Sequence, residues 1–89
     1  MKLDLLEQAI SADTPAEKLF VKNCEKFGIN PSRLHSNIKF VVTGDIYEVI
    51  GLEKRGRLYY ILAKNKKFLM PSILDIRKIN DPSYYIWVD

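Results

Sequence analysis

Leu3, Leu6 and Ile10, with Leu5 and Ala9 beside them, recur at helical spacing, and Asp4 and Glu7 stand in the first turn where the macrodipole favours acids. A short amphipathic helix is predicted there. A second apolar stripe follows at Ala16, Leu19, Phe20, Cys24 and Phe27. Thr14-Pro15-Ala16-Glu17 opens it with a capping threonine, a proline at the first helical position and a glutamate placed to complete a capping box. Gly28 is placed to end this helix in the left-handed conformation, with Ile29 as the hydrophobic contact that accompanies such an ending. Asn30-Pro31-Ser32-Arg33-Leu34 repeats the start signal but runs into His35-Ser36-Asn37, which predicts a single turn.

From Ile38 the apolar period falls to two. Lys39 to Val42, Asp45 to Leu52, Leu58 to Lys64, Lys67 to Met70, Asp75 to Ile79 and Tyr84 to Val88 are short runs rich in Ile, Val, Tyr and Phe, and each predicts a strand. Thr43-Gly44, the turn at 54–57, Asn65-Lys66, Pro71-Ser72 and Asn80-Asp81-Pro82 separate them. Five or six such strands suit a small, strongly bent antiparallel SH3-like β-barrel, with the helices capping one open end. The expected fold is therefore α+β. A chain of 89 residues holds one core, so a single domain spanning 1–89 is expected, helical over 1–35 and β over 36–89.

Charge changes the picture more than composition does. The formal net charge is +3, yet residues 51–80 hold eight basic side chains against two acidic ones. That local excess is the form an anion-binding surface takes when confined to one element. Lys54, Arg55, Arg57, Lys64, Lys66 and Lys67 supply most of it, with Tyr59, Tyr60 and Phe68 interleaved. On a strand, Tyr60, Leu62 and Lys64 share one face and Tyr59, Ile61 and Ala63 the other, so one tyrosine belongs to the core and one is more exposed. An exposed ring beside arginines stacks a base while the arginines take phosphates. The alternative is that both tyrosines finish the core and the cations form a solvated rim.

Catalytic chemistry is not legible. His35 is the only histidine, in a polar turn without a second ligand, and no functional role is expected of it. Cys24 is the only cysteine, which excludes an intramolecular disulfide, and it lies on an apolar stripe where a thiol packs as a small hydrophobe. Gly44, Gly51 and Gly56 lack phosphate-loop spacing and read as turn or bulge positions. A binding protein is expected rather than an enzyme, with no cofactor and no metal. The chain has no run of about 18 apolar residues and no signal-peptide pattern, so a cytoplasmic protein without a membrane partner is expected. The tail Tyr84-Tyr85-Ile86-Trp87-Val88 needs cover, either as the last barrel strand or against a partner, for which Trp87 would be the anchor.

Residues 16–75 resemble a family of small, mostly uncharacterised bacteriophage proteins, also found appended to some phage SprT-like proteins. The likeness rests on Ile50-Gly51-Leu52, the pair Arg55 and Arg57, Tyr59, and Ile61-Leu62-Ala63. Lys67-Phe68, Met70-Pro71 and Phe27-Gly28-Ile29-Asn30-Pro31 extend it. Leu58 and Leu69 stand where that family tends to be basic, and Tyr60 where it has proline. The resemblance implies a helix with an SH3-like barrel and a phage origin, hence the host cytoplasm. The zinc motif of SprT-like peptidases is absent, so that chemistry does not carry over. The leading expectation is a module that binds RNA or single-stranded DNA. Its rival is a counter-defence or host-takeover inhibitor that contacts a host protein, and a structural module of a virion or replication machinery is a third. Oligomeric state is left open by the sequence.

Overall fold

The computed structural model describes residues 14–88, so the helix expected over Leu3–Ile10 lies outside the described residues. The elements run α1 (Pro15–Asn23), β1 (Asn37–Phe40), β2 (Ile46–Arg55), β3 (Leu58–Asn65), β4 (Pro71–Asp75) and β5 (Tyr85–Trp87). Short 3-10 turns occupy Cys24–Phe27, Pro31–Arg33 and Ile76–Lys78. Among the described residues no helix is long and apolar enough to cross a membrane.

Helix α1 starts as its local sequence dictates. The Glu17 N–H donates to the Thr14 hydroxyl oxygen at 3.1 Å, and the Thr14 N–H donates to the Glu17 carboxylate at 3.1 Å. The helix tightens at Cys24 into the 3-10 turn, and Gly28 ends it with φ +74° while the Ile29 N–H reaches back to the Cys24 carbonyl at 3.0 Å. The expected stripe is buried at Phe20 and Cys24, partly buried at Leu19 and Phe27, and joined by Val21.

All strand pairs are antiparallel, in the order β4-β3-β2-β1-β5. The long β2 pairs with β1 through its first half and with β3 along nearly all its length, and a bulge between Val49 and Gly51 bends it midway. Phe20 and Val21 of α1 and Cys24 of the 3-10 turn that follows share one core with Ile38, Val49, Leu52 and Ile61 from the sheet. Loop and 3-10 residues Ile29, Ile76 and Ile79 complete it.

Two expected strands are not strands. Residues 67–70 form the loop between β3 and β4, because the Asn65 side chain accepts from the Lys67 and Phe68 N–H groups at 2.8 and 3.0 Å. Leu69 then takes φ +57°, which no strand residue adopts. Asp75 ends β4 by accepting from the Arg77 N–H at 3.0 Å, turning 76–78 into a 3-10 turn. Pro71, expected to break the sheet, instead begins β4, an edge strand where a missing N–H is tolerated. The tail is the edge strand β5 on β1. The α+β class is as expected, but no ladder joins β4 to β5, so the sheet is open rather than a closed barrel. The two edges do approach at one point, where the Asp75 backbone lies near the Tyr85 hydroxyl; burial raises that hydroxyl's pKa and the neighbouring backbone opposes the rise.

Candidate nucleic-acid interface

The cations of residues 51–80 are carried to both ends of the β2–β3 hairpin. The hairpin turns at Gly56-Arg57, with φ +62° at the glycine alone, as in a type II′ turn that matches the strand twist. Lys54, Arg55 and Arg57 therefore lie at one end. Lys64, Lys66 and Lys67 lie at the other, about 23 Å away over the eight-residue β3. The sequence strip is two patches.

At the Gly56 end, Tyr59 faces inward with Ile61 and Ala63, and its ring centroid is 5.3 Å from that of Phe27. The Lys54 and Lys26 ammonium groups stand 5.5 and 5.3 Å from the Tyr59 centroid. These are cation–π distances. Lys26 comes from the 3-10 turn after α1 and was not among the expected site residues. Tyr60 faces outward, flanked in register by Glu53 and Asp75.

Between the start of β3 and the 3-10 turn after β4 runs a groove of about 190 Å³. Phe27, Tyr59, Tyr60 and Ile76 line it, with Arg57 and Arg77 at its borders. Arg57 has no ion-pair partner among the described residues. Arg77 forks onto Asp75 through Nε at 3.2 Å and Nη2 at 3.3 Å, and its guanidinium holds the Asp75 carboxyl below the ordinary carboxylate range. The one acid in the groove is thus neutralised by a neighbour. Arg77 was overlooked in the sequence because it falls outside the strip, although its i, i+2 spacing from Asp75 is a legible pairing signal.

Arg55 does not join this groove. Its Nε donates to Glu53 at 2.7 Å, two residues back on the same strand face, and the pair borders a separate depression beside Leu62 and Ile73. Trp87 lies on β5, far from the hairpin turn in the sheet order, with the Arg33 guanidinium 4.7 Å over its ring. At the opposite end, Lys64, Lys66 and Lys67 are exposed, and the Lys67 ammonium sits 5.4 Å from the Phe68 centroid.

Other reactive groups are held in structural roles. Burial pushes the Cys24 thiol up to about 11, so it is neutral at physiological pH. Among the described residues no three His, Cys, Asp or Glu side chains gather as a metal-binding group. His35 adopts φ +68°, and its two ring nitrogens face Glu17 at 2.8 Å and Glu48 at 3.2 Å. No family model, curated protein or solved structure matches the chain.

Proposed function

We propose that this domain is a non-enzymatic nucleic-acid-binding module that takes RNA or single-stranded DNA at the Gly56 end of the β2–β3 hairpin. The carrying observation is the aromatic groove between Arg57 and Arg77, with Lys26 and Lys54 beside it. A base in the groove stacks against Tyr60, while flanking phosphates are met by Arg57 and the two lysines. Arginine suits this place because its planar fork stays charged and pairs with phosphate oxygens bidentately. The bulged β2, the 3-10 turn after β4 and the Tyr85–Asp75 contact support reading the open sheet as an SH3-like wall that stops short of closure. The rival reading, a counter-defence inhibitor anchored on a host protein by Trp87, is less favoured because Arg33 covers a face of that ring.

Anisotropy titrations of labelled oligouridylate and oligothymidylate across a salt series test this. The logarithm of affinity falls with the logarithm of salt, and Arg57→Ala flattens that slope by about 0.7 as one phosphate contact is lost. Tyr60→Ala costs about 1 to 3 kcal/mol of affinity with the slope unchanged, since stacking releases few ions. Arg55→Ala, whose charge is spent on Glu53, leaves both unchanged. Absence of binding to RNA, single-stranded DNA and duplex at micromolar protein in low salt overturns the proposal.

A further inference from the structure

At the far end of the hairpin, three consecutive apolar side chains stand in water. Phe68, Leu69 and Met70 are 60%, 65% and 62% exposed at the tip of the β3–β4 loop. The fold holds them there. Asn65, only 7% exposed, accepts from the Lys67 and Phe68 N–H groups, and its backbone exchanges bonds with Leu69 and Met70 at 2.7 and 2.9 Å. Leu69 is kept at φ +57°, a left-handed conformation that costs a branched side chain energy. The Lys66 N–H donates to the Ile46 carbonyl at 2.9 Å, which sets this tip beside the β1–β2 turn, where Val42 is 67% exposed. Two adjacent tips therefore present one apolar end.

A cationic collar surrounds it. Lys64, Lys66 and Lys67 are exposed and have no ion-pair partner among the described residues. Of the nearby acids, Glu48 bonds His35, and Asp45 accepts from the Thr43 hydroxyl at 2.8 Å, a neutral donor, so the three lysines outnumber the one acid on the tip itself. The occupant of this end must therefore be apolar at its centre and anionic around it. A symmetric second copy would press collar against collar. A nucleic-acid strand satisfies the lysines but leaves Leu69, Met70 and Val42 without a partner, because none of them stacks on a base. Protein hot spots are rich in Trp, Tyr and Arg, and neither loop, 41–45 or 66–70, carries one of them. An anionic bilayer supplies both parts: acyl chains for the tip, and headgroup phosphates for lysines whose stems lie along apolar surface while their ammonium groups stay wet.

We propose that the paired β1–β2 and β3–β4 tips dock the domain on the surface of an anionic lipid bilayer. The expectation of no membrane partner followed from the lack of a spanning segment, and a docked hairpin tip needs none.

Co-sedimentation with vesicles of phosphatidylcholine alone, or of equal parts phosphatidylcholine and phosphatidylglycerol, tests this. The protein is expected to sediment with the anionic vesicles only, and less at raised salt. Lys66→Gln with Lys67→Gln lowers partitioning by about 25-fold, or fivefold per lysine. Phe68→Ser with Met70→Ser lowers it by about tenfold or more. Both pairs are exposed, so circular dichroism melts stay near the parent. Phe68→Trp, which preserves the tip, shows a blue-shifted emission on anionic vesicles. No sedimentation with anionic vesicles, full retention by the serine variant, or an unshifted Phe68→Trp emission overturns the proposal. So does loss of oligonucleotide binding in the serine variant with vesicles unbound, which would assign the tip to nucleic acid.

Discussion

Both ring nitrogens of His35 face carboxylates, so both bonds are satisfied by donation only when the ring carries two protons. Burial disfavours that cation, and the bonds to Glu17 and Glu48 outweigh it, leaving the His35 pKa raised. The Glu17 carboxyl is lowered, first by its bond to His35 and then by its bond to Thr14. A raised histidine contributes stability below its unfolded value near 6.5 and loses it as pH rises through the folded value. A lowered glutamate contributes above its unfolded value near 4.5 and loses it as pH falls through the folded value. Both contributions are complete between these two values. Stability is thus expected to decline from pH 6 to 8 by a few tenths to about 1 kcal/mol, a small amount because the His35 side chain is half exposed. His35→Gln should flatten that decline in urea titrations; an unaltered pH profile would show that the bridge carries no stability. None of this was legible in the sequence. The partners lie 18 residues before and 13 after His35, and only the docking of α1 on β2 unites them.

Local chemistry made some elements legible and hid others. The capping box at Thr14 and the left-handed ending at Gly28 are short-range devices whose geometry follows from residue type and spacing. Residues 67–70 and 75–79 are as β-prone as the real strands, yet the Asn65 and Asp75 side chains divert them by accepting from the backbone N–H groups that follow. Helix–sheet docking is set by Gly51, read in the sequence as a turn or bulge position. There φ is +159°, and a Cβ would meet the Ala16 carbonyl carbon at 2.5 Å. Gly51→Ala should therefore push α1 off β2 and cost about 2 kcal/mol or more in chemical denaturation, the scale of an overpacked core. A change within a few tenths of a kcal/mol would mean that α1 is not seated on this bulge.

Across the whole molecule, the sequence revealed the excess of positive charge but not where folding sends it. The eight-residue β3 separates the two halves of the strip, Glu53 removes Arg55, and Lys26 arrives from the helix side to stand over Tyr59. One end becomes an aromatic groove with arginine borders, and the other an apolar tip in a lysine collar. The division predicts that nucleic acid touches only the first. Titrating uniformly ¹⁵N-labelled protein with a short oligouridylate or oligothymidylate, and following every backbone amide, tests this most directly. Saturable shifts at Arg57–Tyr60 and Ile76–Lys78, with Phe68–Met70 unmoved, are the result expected. An undisturbed spectrum, or shifts confined to Lys66–Met70, would contradict it.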